Sequence, residues 1–204
     1  MTDYSQFGEQ ACILEIFKNY DPATSRFLDI GAYDGKSFSN TWALVERGWG
    51  GLYVEPGAYA FDALLDNVST LPEEQQKRII LVNAAIGINP GLKKFWYSKD
   101  QLATSEDQSH EKWRAQVKFH PQQCYVAFIT LEQLFYQFCG PFHFINIDTE
   151  GTSPELFMQL PLADLQPKAI CLEYEDKLVN VWNLAKSLDY RQILLNGVNT
   201  IFAL

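Results

Sequence analysis

Short continuous apolar runs alternate along this chain with stretches in which apolar residues recur every three or four positions. The first kind predicts buried strands and the second amphipathic helices. Residues 8–20 place Ala11, Ile13, Leu14, Phe17 and Tyr20 at helical spacing, and Asp21-Pro22 ends that element. Residues 26–31 form a first strand. Phe38, Trp42 and Val45 face one way in a predicted helix over 37–47, stopped by Gly48. A second strand, 52–56, ends at Pro56, and Phe61, Leu64, Leu65 and Val68 mark the next helix. Ile79-Ile80-Leu81-Val82 is a third strand running into Asn83-Ala84-Ala85, and Asn89-Pro90-Gly91 turns the chain into a short edge strand over 93–97.

Periodicity is then lost. Residues 98–124 are polar and irregular, with His110 and Trp113 among them, and a long irregular segment in a compact domain is usually functional or mobile. It reads as a substrate-side lid or, alternatively, as a floppy surface insertion. Beyond it, 125–138 predicts a strand and a helix, 142–148 a fourth buried strand, and Ser153-Pro154-Glu155 a helix start. Residues 169–173 make a fifth strand. Leu178, Val181, Trp182, Ala185 and Leu188 give a last helix, and 192–204 fold back as a hairpin about Asn196-Gly197-Val198-Asn199.

Strands alternating with helices imply an α/β fold: a parallel sheet, right-handed crossovers, and ligands at the strands' C-terminal edge. The closing hairpin adds an antiparallel strand. With 204 residues and no linker or repeat, the chain reads as one domain over 1–204.

Composition narrows the partners. A net charge of −9 argues against a basic nucleic-acid face. Cys12, Cys124, Cys139 and Cys171 lack metal-ligand or disulfide spacing and read as reduced thiols. The polar start and the absence of an apolar run of spanning length predict neither a signal peptide nor a membrane span, and so a cytoplasmic protein.

The candidate chemistry lies at the strand ends. Asp29 closes the first strand, followed by Gly31 and Gly35 and then a helical pattern. Glycines there let the backbone turn sharply and a ligand approach closely. On this reading a side chain at Gly31 would occupy ligand space rather than core. The dinucleotide fingerprint G-x-G-x-x-G is not met, because Tyr33 holds the middle-glycine position, and Asp29 repels a pyrophosphate while attracting a cationic amino group. Glu55, at the tip of the second strand, offers two acceptor oxygens for a ribose. Asn83 and Ala84 end the third strand where an adenine edge can be read. Asp148 and Glu150, at the fourth strand's end, can serve as general base, hold an amine or share a metal. Glu173 and Glu175 end the fifth strand nearby. Of the three histidines, His110 in the polar segment is the better base candidate; His120 and His143 show no ligand spacing.

These residues carry a resemblance. Tyr4-Ser5-Gln6-x-Gly8-Glu9, Phe27-Leu28-Asp29-Ile30-Gly31-Ala32 with Asp34-Gly35, Ser39-Asn40-Thr41, Gly48-Trp49-x-Gly51 and Val54-Glu55-Pro56 occur in that order. Asn83-Ala84-Ala85-Ile86-Gly87, Thr130-Leu131 and Ile147-Asp148-x-Glu150-Gly151 follow. Together they resemble the FkbM family of S-adenosylmethionine (SAM) dependent methyltransferases, over nearly the whole chain. The resemblance implies a Rossmann-like class I methyltransferase fold, a seven-stranded, mostly parallel sheet with helices on both faces and the antiparallel C-terminal strand. It implies SAM as cofactor, held by Asp29, Gly31, Gly35 and Asn40 and by Glu55, Pro56, Asn83 and Ala84, with Asp148 and Glu150 beside the methyl group.

The expected activity is methylation of a hydroxyl oxygen of a small molecule, such as a sugar or secondary metabolite, with no metal ligand assigned. Asp148 is the first candidate for the base and His110 the second. The alternative is a non-catalytic SAM-binding or partner-recognition module of the same fold. Thr149 and Thr152-Ser153-Pro154 depart from the family's usual residues, and 98–124 match nothing in it.

Overall fold

The computed structural model describes residues 2–97 and 124–204, together with Glu111 and Lys118. The lid expected over 98–124 therefore lies almost wholly outside the described residues, as do His110, His120 and Trp113.

In chain order the described strands are β1 (Arg26–Ile30), β2 (Gly50–Val54), β3 (Ile79–Val82), β4 (Ala85–Ile86), β5 (Gly91–Phe95), β6 (Cys124–Ile129), β7 (Phe144–Ile147), β8 (Ala169–Glu173), β9 (Arg191–Leu195) and β10 (Asn199–Ala203). The helices are α1 (Glu9–Ile16), α2 (Trp42–Glu46), α3 (Ala58–Ser69), α4 (Glu73–Gln76), α5 (Leu131–Gln137), α6 (Ser153–Gln159), α7 (Leu162–Leu165) and α8 (Leu178–Ser187). Seven strands form one sheet in the order β3-β2-β1-β7-β8-β10-β9. All neighbours pair in parallel except β10, which runs antiparallel to β8 and β9. The seven-stranded expectation, its antiparallel C-terminal strand included, is met.

The central strands are covered on both faces, so their residues are apolar almost without interruption. Leu28, Ile30, Leu52, Val54, Ile145, Ile147, Ile170 and Leu172 pack on one face against α5, α6, α7 and α8. Phe27, Tyr53, Phe144 and Cys171 turn to the other, against α1, α2 and α3. Strand order runs outward from β1 to β3 on one side and from β7 on the other. The reversal point lies between β1 and β7, where open α/β sheets form their ligand crevice at the strands' C-terminal ends.

The sequence pattern does not anticipate a second sheet. β4, β6 and β5 form it, in that order, and it contributes Ala85, Phe95, Val126 and Phe128 to a small core of its own.

Two helices differ from their predicted extents. α1 stops at Ile16, although Phe17 beyond it is buried. The helix expected over 37–47 begins only at Trp42. Phe38 has a left-handed φ of 55° and is 55% exposed rather than on the core face. The physical reason is local: Ser39 Oγ accepts from the Thr41 and Trp42 amides, and the Asn40 and Thr41 side chains reach across to the sheet. These bonds compete with helical ones.

α6 shows a smaller shift. Ser153 and Pro154 are inside the helix, and the Ser153 hydroxyl accepts from the Thr149 amide instead of capping. α5 carries a full capping box between Thr130 and Gln133. At the N-terminus, buried Glu9 accepts from the Asn196 and Asn199 side-chain amides, both at 2.8 Å, and this ties the leading segment to the β9–β10 turn. Of the four free thiols only Cys171 is buried and Cys139 is exposed. Among the described residues no helix is long and apolar enough to cross a membrane.

Candidate functional site

An open cleft lies over the reversal point between β1 and β7. It is lined by the ends of β1, β2 and β7, by residues 37–40, by Gln6 of the leading segment, and by Ala85, Ile86, Phe95 and Phe128 of the small sheet. The period-2 alternation of strands builds its floor. Asp29 stands in register with Tyr53 on β2 and with Asn146 on β7, and Asn146 stands in register with Cys171 on β8. The four side chains therefore form a row across one face of an otherwise apolar sheet.

That row is hydrogen-bonded. Asp29 is buried; its Oδ2 accepts from the Thr41 hydroxyl at 2.6 Å and its Oδ1 from the Asn146 side-chain amide at 2.8 Å. The Tyr53 hydroxyl lies 3.2 Å from that of Thr41. Asn40 Nδ2 donates to Asn146 Oδ1 at 3.0 Å and lies 3.5 Å from Cys171 Sγ. Burial pushes the Asp29 carboxyl up to about 6, against the lowering effect of Thr41 and Asn146.

Glu55, just past β2, is buried as well. Its Oε1 accepts from the Gly57 amide at 2.6 Å and its Oε2 from the Tyr33 amide at 2.8 Å. One carboxylate thus fixes both the turn after β1 and the entry to α3. Desolvation raises it to about 7 even so. Asp148 follows β7, and its amide donates to the Ile30 carbonyl at 2.9 Å. Burial pushes its carboxyl well above the ordinary carboxylate range, and Glu173, Glu150 and Asp29 push it the same way.

Asp29, Gly31, Asn40, Glu55, Pro56, Ala84, Asp148 and Glu150 all line this cleft. Gly35 and Asn83 do not. Gly35 packs beneath it, where an added Cβ would meet Leu64 Cδ1 at 2.5 Å, and Asn83 donates to the Glu55 carbonyl at 2.8 Å. Gly31 also corrects an expectation. With φ of 83°, an added Cβ would lie 1.7 Å from the Asp148 carbonyl oxygen, so a side chain there collides with the β7 end before it reaches any ligand. His143 sits away from the cleft, at the N-terminal ends of β1 and β7. Its Nδ1 accepts from the Arg26 amide, its ring is edge-on to Tyr20 and Trp49, and burial lowers it.

Sequence reasoning missed Asn146, whose signal was a lone amide inside the apolar run Phe144–Ile147. It also missed Phe95 and Phe128, which come from the unanticipated sheet and carry no local signal, and gave no role to Gln6, Phe38 or Thr152 at the rim. Tyr33, Phe38 and Glu150 hold left-handed φ values of 51°, 55° and 49° around the cleft, a conformation that costs a non-glycine residue energy and concentrates at ligand sites.

Among the described residues several acids and no basic side chain line the cleft, which suits a cationic ligand bearing hydroxyls and repels a pyrophosphate. Among the described residues no group of three or more His, Cys, Asp or Glu is arranged to hold a metal ion.

Comparison with known proteins agrees with this geometry. The model of the methyltransferase FkbM domain matches residues 29–194. No curated protein matches the chain. Among solved structures, a methyltransferase FkbM from Methylobacillus flagellatus KT aligns over 89% of this chain and 44% of its own, with TM-score 0.59 and 14% identity. The METTL16 MTase domain aligns over 95% and 65%, with TM-score 0.52 and 11% identity. A precorrin-6y C5,15-methyltransferase from Geobacter metallireducens GS-15 aligns over 96% and 85%, with TM-score 0.51 and 14% identity. The chain thus spans less than two thirds of the length of the first two. These likenesses show the fold; the domain match shows the family. The chain belongs to the FkbM methyltransferase family, whose cofactor is S-adenosylmethionine.

Proposed function

We propose that the protein methylates a hydroxyl oxygen of a small molecule, a sugar or secondary metabolite, in the cytoplasm, with Asp148 as general base. One observation carries the reading: Asp148 shares a single cleft with Asp29 and Glu55, at the end of the strand that adjoins β1. The residues present fit the cofactor. Asp29 and Asn40 would face the cationic methionine end, Glu55 the ribose hydroxyls, and Ala84 and Pro56 the base. When bound, SAM supplies an electrophilic methyl group on a sulfonium.

What remains for the protein is alignment and one proton. Asp148 accepts the acceptor's hydroxyl proton as the new carbon–oxygen bond forms and the carbon–sulfur electrons stay on sulfur. A cationic ligand beside Asp148 favours the ionised carboxyl, so the group becomes a competent base when the site is filled. Glu150 and the Thr149 and Thr152 hydroxyls stand at the same end of the cleft, where they can orient an acceptor by hydrogen bonds. The net charge of −9 and the lack of basic lining residues among the described ones support a small acceptor over a nucleic acid.

The test is transfer of an isotope-labelled methyl group from SAM to panels of sugars and hydroxylated metabolites. Transfer to a hydroxyl, abolished in Asp148→Asn, supports the reading. S-adenosylhomocysteine (SAH) binding with no transfer to any panel member identifies a non-catalytic cofactor-binding module instead.

A further inference from the structure

One buried polar atom at the cleft has no partner among the described residues: Asn40 Oδ1. Asn40 is 7% exposed, and leaving an amide oxygen bare in such a place is costly. Its orientation is not free. The ionised Asp29 only accepts, so Asn146 must turn its NH2 group toward Oδ1 of Asp29, as it does at 2.8 Å. That leaves Asn146 Oδ1 as an acceptor, which obliges Asn40 to present its own NH2 group at 3.0 Å. The second hydrogen of that group has Cys171 Sγ at 3.5 Å. Both amide nitrogens of the relay are thereby bonded, and the atom left over is an acceptor in a cleft that no basic side chain lines among the described residues.

We infer that Asp29, Asn146 and Asn40 form an oriented amide relay whose end, Asn40 Oδ1, receives a hydrogen bond from the cationic amino group of bound SAM, with Asn146 as the positioning residue. The inference rests on the chain binding SAM. It goes beyond that reading in giving Asn146 a function and in making the amino group, rather than the carboxylate or sulfonium, the part of the ligand that Asn40 recognises. A donor ligand completes the relay; an acceptor would face a bare oxygen.

The test compares SAH with its desamino analogue, in which a methylene replaces the amino-bearing carbon, by calorimetric titration. The wild-type protein should prefer SAH by roughly tenfold to a hundredfold, the range expected for one hydrogen bond to a charged group. Asn40→Leu should remove that preference by weakening SAH alone. Asn146→Leu, which frees the Asn40 amide to rotate, should reduce the preference while leaving the desamino analogue bound as before, a split that general loosening of the site would not produce. Wild-type binding of both ligands with equal affinity overturns the relay and needs no variant to show it. An undiminished preference in Asn40→Leu overturns it too, since the oxygen would then serve a bound water or nothing. Failure of the wild-type protein to bind either ligand would instead remove the SAM reading on which the inference stands.

Discussion

Glu55 offers the sharpest test of how the cleft works, because the same carboxylate supports the fold and, on the proposed reading, faces the ligand. Its rise from 4.5 to about 7 means that ionising it in the ligand-free protein costs about 3 kcal/mol more than in water. The folded value lies above the unfolded one. The cost is therefore absent below pH 4.5 and fully present above pH 7, so stability falls as pH rises through that window. Two ribose hydroxyls donating to the carboxylate would return about 1.5–3 kcal/mol each and keep it ionised when the site is filled.

Glu55→Ala should then do two things. The stability difference between variant and wild type should move in the variant's favour by up to about 3 kcal/mol as pH rises from 4.5 to 8, on top of a pH-independent loss from the freed Tyr33 and Gly57 amides, read by urea unfolding at several pH values. Its affinity for SAH at pH 8 should drop roughly tenfold to a hundredfold, while a 2′,3′-dideoxy analogue loses little. Wild-type affinity for SAH should weaken as pH falls from 8 toward 5.5, and the variant should lose the part of that slope centred near pH 7. Equal losses for the two ligands, or an unchanged slope, would show that Glu55 holds only the Tyr33 and Gly57 amides.

Gly31→Ala should destabilise the protein itself by roughly 2–4 kcal/mol, through its φ of 83° and the Asp148 carbonyl, and lower Tm in thermal unfolding; an unchanged Tm would refute the close approach of β1 to β7. Asp148→Asn should lower methyl transfer by roughly 10²–10⁴-fold with SAH affinity changed far less, and transfer at the normal rate would send the search for a base to His110. Thr130→Ala should cost about 0.5–2 kcal/mol by breaking the capping box of α5, with no effect on SAH binding measured by titration.

Much of this architecture is legible in the sequence because local pattern and tertiary placement agree. The apolar runs of β1, β2, β7 and β8 have no alternative to burial on both faces, and they give the sheet and its C-terminal edge. Asp29, Glu55 and Asp148 stand out because each interrupts or ends such a run. What stays hidden is decided by distant partners. The chain from 37 to 41 has helical spacing, but Asp29 and Asn146 draw Thr41 and Asn40 out of the helix. The β4-β6-β5 sheet brings together pieces about 40 residues apart, one of them only two residues long, too short for any periodicity. The need for a glycine at 31 is legible but its neighbour is not, because Asp148, whose carbonyl a side chain there would meet, lies 117 residues further along.

The electrostatics of the cleft connect these two levels. A sheet that gathers Asp29, Glu55 and Asp148 within one site, with no basic side chain lining it among the described residues, is stable only while those acids are hydrogen-bonded or partly protonated. The Thr41, Asn146, Tyr33 and Gly57 donors supply the first condition for Asp29 and Glu55, and the raised carboxyl values express the second. A ligand carrying positive charge satisfies both at once. On the proposed mechanism it replaces protons as the counter-charge and, in doing so, turns Asp148 from an acid into a base. Binding and activation of the proposed base are then one electrostatic event rather than two, and the departures from apolar patterning that first drew attention in the sequence are what that event requires.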